Sequence, residues 1–128
     1  MGNGTSIGKV RGLGSAHEGA HHWLVQRFTA VGNLVLMSWL AVSFLMLGDL
    51  TYSAVSNWLA QPISAVPMML LVVSLFWHAR LGLQVLIEDY IHNSGSKFAL
   101  FAALNLSAIG GGAFSIFSVA SLAFGVQT

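Results

Sequence analysis

The sequence contains no cysteine and very little charge. Only 7% of its 128 residues are Asp, Glu, Lys or Arg, whereas soluble domains carry roughly 25%. The lack of cysteine excludes disulfides, iron–sulfur ligation and thiol nucleophiles from this chain. A net charge of +1 leaves no broad basic face for nucleic acid. What the chain has instead is apolar residues, at 55%, and a mean hydropathy of +0.76. Most of its surface is therefore expected to face lipid.

Long runs without Asp, Glu, Lys or Arg occupy residues 28–48, 50–79 and 98–128. A membrane-spanning helix needs about 20 mostly apolar residues. We therefore predict an all-α membrane protein whose three transmembrane helices cover about 27–48, 63–89 and 97–124. The predicted domains are a polar N-terminal segment, 1–26, and a three-helix anchor domain, 27–128. The amphipathic, turn-like stretch 51–62 is predicted to connect the first two helices.

Two features of the predicted helices bear on packing. Pro67 falls close to the start of the second helix, where its missing N–H is tolerated best. The third helix contains three consecutive glycines, 110–112, and glycines let neighbouring helices approach closely in membranes.

The basic residues predict the orientation of the helices. Lys9, Arg11 and Arg27 lie on the N-terminal side, the first connection carries Asp49 and no basic residue, and the second connection carries Lys97. Basic residues are enriched in cytoplasmic loops. The N-terminus is therefore predicted inside and the C-terminus outside, with segment 1–26 on the inner face.

His78 is the only histidine among the three predicted spans, and it lies near the bilayer centre. At helical spacing it shares a face with Ser74, Gly82, Val85 and Asp89. A neutral imidazole at this depth can form an interhelical hydrogen bond, relay protons or bind a metal, and it is a common axial ligand of haem iron. If the iron takes two histidines, the second must come from another chain.

Charged and polar side chains are expected together at the inner membrane boundary. Arg27 opens the first helix, and Glu88, Asp89 and Tyr90 end the second. These residues are either ordinary helix-end residues or a polar pocket for the head group of a lipid-soluble substrate. The segment holding His17, His21 and His22 is expected beside them.

Arg80 lies two positions after His78, on a different face and deep in the apolar run. It cannot face lipid comfortably. Three outcomes stay open for its side chain: it reaches inward to the boundary, pairs with a carboxylate, or faces a partner subunit.

The stretch HARLGLQVLIEDYIH, residues 78–92, resembles the second helix of the succinate dehydrogenase hydrophobic membrane anchor family. This is the smaller anchor chain of succinate:quinone oxidoreductase, respiratory Complex II. The family shows a histidine, a glycine four residues on, and Asp-Tyr eleven and twelve residues after the histidine. The stretch 14–34 resembles the family's N-terminal segment, in which an arginine opens the first helix. The form of these motifs looks most like alphaproteobacterial members.

The resemblance implies roles for individual residues. His78 matches the axial ligand of haem b, and Tyr90 matches the tyrosine that hydrogen-bonds ubiquinone. Asp89 matches the neighbouring acid of the quinone pocket, and Arg27 the arginine near the haem propionates and the quinone site. His21 matches more weakly a histidine near the propionates. No role is implied for Arg80.

The resemblance also implies the partner subunits, their cofactors and the membrane in which the chain lies. The chain would be a non-catalytic anchor subunit beside a flavoprotein subunit, an iron–sulfur subunit and a cytochrome b anchor subunit. FAD and the iron–sulfur clusters would belong to those partners, and the companion cytochrome b subunit would share the haem. A bacterial inner membrane is implied first, a mitochondrial inner membrane second. The alternatives are a fumarate reductase anchor and a small homo-oligomeric channel.

Overall fold

A computed structural model of the chain describes residues 16–125, with side chains from residue 19 onward. Within these residues there are four helices: α1 (Ala16–Leu47), α2 (Tyr52–Leu59), α3 (Pro62–Tyr90) and α4 (Ser94–Ala123). Lys9 and Arg11, on which the predicted orientation partly depends, lie outside the described residues, as do residues 1–15 of the predicted polar segment.

Three of the helices are long and apolar enough to cross a membrane: α1 from Gly19 onward, α3 and α4. This confirms the predicted all-α fold with three transmembrane helices. The start of the first helix was predicted wrongly, because α1 begins at Ala16 rather than near residue 27. The polar stretch before Arg27 contains no proline and is rich in residues that tolerate a helix, so the helix continues beyond its apolar part.

The helix boundaries have local causes. Gly48 follows α1 with a φ of +70°, a left-handed conformation that glycine adopts without a steric penalty. Pro62 is the first residue of α3, where a missing backbone N–H costs least. The Asn93 side chain caps α4 by accepting hydrogen bonds from the backbone N–H groups of Gly95 and Ser96.

α3 is the central helix of the fold. It packs against α1 on one side and against α4 on the other, and α2 packs across α3 and α4. α2 occupies part of the stretch predicted as a connection, which therefore forms a short helix followed by a tight bend into α3. Because α3 lies between its two neighbours, each of its faces belongs to a different interface.

The buried core lies at the α2 end of the molecule. Leu59, Ala65 and Val119 form it, with residues of all three elements packed around them. The indole of Trp58 stacks on that of Trp39 with 5.5 Å between ring centroids, which ties α2 to α1. The opposite half of the helices has little buried apolar surface and carries the polar residues described below.

α3 and α4 approach closely where the three glycines lie. The ring of Phe76 occupies the space beside Gly111, where an added Cβ would sit only 2.7 Å from Cε1 of the ring. At Gly112 the corresponding distance to Cγ is 3.7 Å, whereas an added Cβ at Gly110 would meet nothing within 4 Å. The expected close approach at the glycines is therefore present, with an aromatic ring as the neighbouring group.

Candidate functional site

A row of polar residues runs along the interface between α1 and α3, and we call it the polar seam. Four polar residues of α1 belong to it, and their spacing of four, three and four positions places them on one face of that helix. Ser74, His78 and Gly82 recur at four-residue intervals on α3 and face them. The α1 members are His22, Gln26, Thr29 and Asn33.

His78 is at the centre of the polar seam and near the middle of α3. Its Nδ1 lies 3.0 Å from the Thr29 hydroxyl oxygen, across the interface. The other ring nitrogen, Nε2, has no hydrogen-bond partner among the side chains of residues 19–125. The imidazole is half-buried. It is therefore held at one nitrogen and free at the other, as a ligand to iron requires.

Several buried atoms of the polar seam have no partner within the described chain. They are His22 Nε2, Gln26 Oε1 and Asn33 Oδ1. Buried polar groups in native proteins are almost always hydrogen-bonded, and the bilayer core offers no water in compensation. The polar seam is therefore incomplete in the isolated chain and suits a polar group from outside it.

The glycine at position 82 lies against the side chain of Gln26, next to His78. It lies one turn after His78 on α3, and a Cβ there would come 3.6 Å from Nε2 of Gln26. Over the described residues no three His, Asp or Glu side chains come together in a way that would hold a bare metal ion. The arrangement instead provides a single imidazole with the Gln26 amide beside the adjacent turn.

Arg27 and Tyr90 lie at different depths. α1 and α3 are antiparallel, and Thr29, two residues from Arg27, lies opposite His78. Tyr90 is twelve residues beyond His78, or about 18 Å along the helix at 1.5 Å per residue. Arg27 therefore lies close to the depth of His78, with its guanidinium 4.5 Å from the centre of the Trp23 ring. The expected meeting of Arg27 with the Asp89–Tyr90 pair does not occur.

His21 lies nearer to the depth of Tyr90. It is eight residues before Thr29 on α1, so its position along the helix axis is within about 6 Å of that of Tyr90. Its side chain is exposed. His21 and Arg27 therefore belong to different depths of the same helix, although the sequence interpretation placed both near one cofactor edge.

The end of α3 carries exposed polar side chains. Asp89 is exposed and Tyr90 is 75% exposed, and neither side chain has a hydrogen-bond partner among the residues that the structure describes. The neighbouring Glu88 accepts a hydrogen bond from Gln84, and its backbone carbonyl accepts one from Lys97 of α4. Lys97 thus ties α4 to the end of α3, while Asp89 and Tyr90 remain accessible to a substrate or another subunit.

Arg80 has a partner that sequence reasoning missed. Its Nε donates to the side-chain oxygen of Asn105 on α4, and its guanidinium lies 5.7 Å from the centre of the Trp77 ring. The Asn105 amide nitrogen in turn donates to the carbonyl of Phe101 at 2.8 Å. Arg80 therefore bonds to a neutral amide of its own chain. The only sequence signal for this was that Arg80 and Asn105 lie at similar distances from the loop between α3 and α4.

Arg80 and Asn105 stand at one end of a groove of about 470 Å³ between α3 and α4. Its other walls are apolar or small, with Val73, Ile109 and Ile116 among them. This groove lies on the side of α3 that faces α4, whereas His78 faces α1. His78 and Arg80, the two ionisable residues deep in α3, thus belong to separate interfaces.

Comparison with known proteins identifies the family. The model of the succinate dehydrogenase/fumarate reductase transmembrane subunit family matches residues 1–114. The chain belongs to this family. It is similar to the succinate dehydrogenase hydrophobic membrane anchor subunit of Rickettsia bellii, with 36% identity over 103 residues that cover 80% of this chain and 82% of the relative.

Two further relatives carry the same description. The Rickettsia conorii anchor subunit is 37% identical over 86 residues, covering 66% of this chain and 68% of the relative. The Coxiella burnetii anchor subunit is 24% identical over 96 residues, covering 75% and 84%. No solved structure gives a significant match to the chain. Membership of this family, the bacterial relatives and three long apolar helices make the chain a multi-pass anchor subunit of the bacterial inner membrane.

Proposed function

We propose that the chain is the membrane anchor of a succinate:ubiquinone oxidoreductase, where it supplies one axial ligand to haem b and part of the ubiquinone-reduction site. The observation that carries the proposal is the mid-membrane imidazole of His78, hydrogen-bonded at Nδ1 and free at Nε2. Imidazole is a common axial ligand of haem iron, and an ionisable group inside a membrane helix is a candidate functional group by default.

The residues around His78 fit a haem. His78 offers its free Nε2 as the ligand atom, and Ser74 and Gly82, one turn either side of it on α3, are small residues. Arg27, exposed at nearly the same depth, is the cation for a propionate, and His21 is a weaker candidate further along α1. Because the described chain offers one imidazole at this depth, any second histidine ligand to the iron would come from the cytochrome b subunit. When bound, haem b supplies a one-electron carrier within the membrane.

Ubiquinone would bind at the end of α3. Reduction of a quinone to a quinol takes two electrons and two protons, so the site needs hydrogen-bond donors at the carbonyl oxygens and a route for protons. The Tyr90 phenol is exposed and can donate to one quinone carbonyl. The adjacent Asp89 carboxylate is exposed as well and can accept and release protons at this boundary.

The electrons and most of the catalytic machinery come from partners in this proposal. A flavoprotein subunit with FAD oxidises succinate, and an iron–sulfur subunit carries the electrons to the membrane face. The chain, which has no cysteine, anchors these subunits, holds haem b through His78 and shapes the quinone pocket. Its N-terminus lies on the inner face with Asp89 and Tyr90, as the basic residues predict.

A second candidate is the same role in a fumarate reductase, because the matched family includes the transmembrane subunits of both enzymes. The direction of the reaction depends on the reduction potentials of the quinone and of the partner-bound clusters. The homo-oligomeric channel is disfavoured by membership of a family of enzyme subunits.

The ligand assignment is tested by His78→Ala in the assembled complex, with His92→Ala as the matched control. His92 is exposed in the short connection between α3 and α4. We expect the reduced-minus-oxidised spectrum of haem b to be lost or strongly shifted in His78→Ala and unchanged in His92→Ala. If the alanine variant fails to assemble, His78→Met supplies a thioether ligand and should raise the haem potential. A wild-type haem spectrum in His78→Ala would refute the assignment.

A further inference from the structure

Thr29 forms the one hydrogen bond that the structure gives to His78. Its hydroxyl oxygen lies 3.0 Å from Nδ1, and 2.9 and 3.0 Å from the backbone carbonyl oxygens of Val25 and Gln26. Thr29 is half-buried, and its own carbonyl accepts a longer contact of 3.4 Å from the Ser74 hydroxyl, one turn before His78 on α3. Two residues of α3 therefore meet α1 at Thr29.

The hydrogen-bond inventory favours one direction for the Thr29–His78 bond. A threonine hydroxyl has one hydrogen and two lone pairs, and a backbone carbonyl can only accept. With two carbonyl oxygens in reach, the hydroxyl hydrogen is directed to its own helix. The contact to His78 is then satisfied when Nδ1–H donates to a lone pair of the hydroxyl oxygen. In that arrangement the proton of the neutral imidazole is on Nδ1, and the lone pair is on Nε2.

We propose that Thr29 is a positioning residue for the haem ligand: it selects the Nδ1–H tautomer of His78, orients the ring and increases the basicity of Nε2. The inference rests on the proposed function and extends it to a residue of another helix. A histidine that ligates a metal usually donates its other N–H to an acceptor, and this bond sets the tautomer, the ring orientation and the strength of the ligand. Here the acceptor is a hydroxyl inside the bilayer, where no water competes for the bond.

The effect on the haem has a definite sign. An imidazole that donates from Nδ1 is a better electron donor at Nε2, which favours ferric over ferrous iron and lowers the haem potential. Removing the acceptor therefore raises the potential. We expect the equilibrium ratio of ferric to ferrous haem to fall by about 3- to 10-fold, which corresponds to a rise in the midpoint potential of roughly 30–60 mV for a one-electron couple.

The test compares two substitutions that separate hydrogen bonding from packing. Thr29→Val keeps the shape and removes the hydroxyl, whereas Thr29→Ser keeps the hydroxyl and removes the methyl group. Ser38→Ala is the control, because the Ser38 hydroxyl also bonds its own helix, to the carbonyl of Leu34 at 2.7 Å, and is exposed. The midpoint potential and content of haem b are measured in the purified complex.

We expect Thr29→Val to raise the haem potential or lower haem content, with Thr29→Ser and Ser38→Ala close to wild type. A packing role would reverse this order, so a serine variant more affected than the valine variant overturns the proposal. An unchanged potential and haem content in Thr29→Val overturns it too. Failure of the proposed function looks different, because His78→Ala would then leave the haem spectrum of the complex unchanged.

Discussion

The pairing of Arg80 with Asn105 leads to a quantitative prediction about the α3–α4 interface. Asn105→Leu preserves approximate size and helix propensity but removes the side-chain oxygen to which Arg80 donates. The guanidinium then has no side-chain acceptor among the described residues. A charged donor left without an acceptor costs more than a neutral one.

The size of the effect is bounded by two kinds of measurement. A hydrogen bond to a charged group in a protein contributes about 1.5–3 kcal/mol. Interhelical hydrogen bonds in membranes average about 0.6 kcal/mol, with a maximum near 1.7. Because Arg80 borders an open groove, it can regain part of the loss from its surroundings. We therefore expect Asn105→Leu to destabilise the fold by about 1–1.5 kcal/mol, towards the upper end of the membrane range.

The same substitution should have little effect once Arg80 is gone. Replacing both partners by apolar groups is close to neutral, because no polar group is left unpaired. In an Arg80→Leu background, Asn105→Leu should therefore be neutral or stabilising, which gives a coupling energy of about 1 kcal/mol or more.

The assay is a titration of the assembled complex with SDS in mild detergent, which gives the SDS fraction at which this chain unfolds. Ser107→Leu is the control, because Ser107 is exposed on α4 two residues from Asn105. Equal losses from Asn105→Leu with and without Arg80 would refute the coupling, and so would an equal loss from Ser107→Leu.

Two further predictions concern packing and the quinone site. Gly111→Ala should lower the free energy of unfolding by about 1–2 kcal/mol, because overpacking against Phe76 outweighs the gain in helix propensity. Gly110→Ala should not lower it, because an added Cβ there meets nothing within 4 Å. Equal effects of the two substitutions in the same SDS titration would contradict the packing of Phe76 against Gly111. Tyr90→Phe should reduce kcat/KM for ubiquinone by about tenfold through one lost hydrogen bond. Tyr52→Phe, at the α2 end, should leave it unchanged, and a wild-type rate in Tyr90→Phe would remove that residue from the quinone site.

Much of the fold could be predicted because insertion of a helix into a membrane depends on the composition of one continuous stretch of sequence. The three apolar runs are each long enough for the hydrocarbon core, so the number and order of the long helices follow from counting residues. The start of α1 could not be found in this way. The signal used was apolar character, and a helix also continues through polar residues such as His21 and His22.

Pairings between helices were beyond the reach of the sequence. Thr29 and His78 are 49 positions apart, and Arg80 and Asn105 are 25 apart. Each pair depends on the rotation and register of two helices, which are set by packing rather than by any local pattern. The same register separates Arg27 from Tyr90 in depth, although both had been placed at one boundary.

The sequence by itself determined the class of protein, the three long helices and the residues that can carry chemistry, because burying charge in lipid is so unfavourable that the few polar residues are conspicuous. The tertiary structure alone decided which nitrogen of His78 is held and which is free, and it gave Arg80 an amide partner. The physical reason is that hydrogen bonds require their atoms to be within about 3 Å. Only packed helices bring distant residues that close.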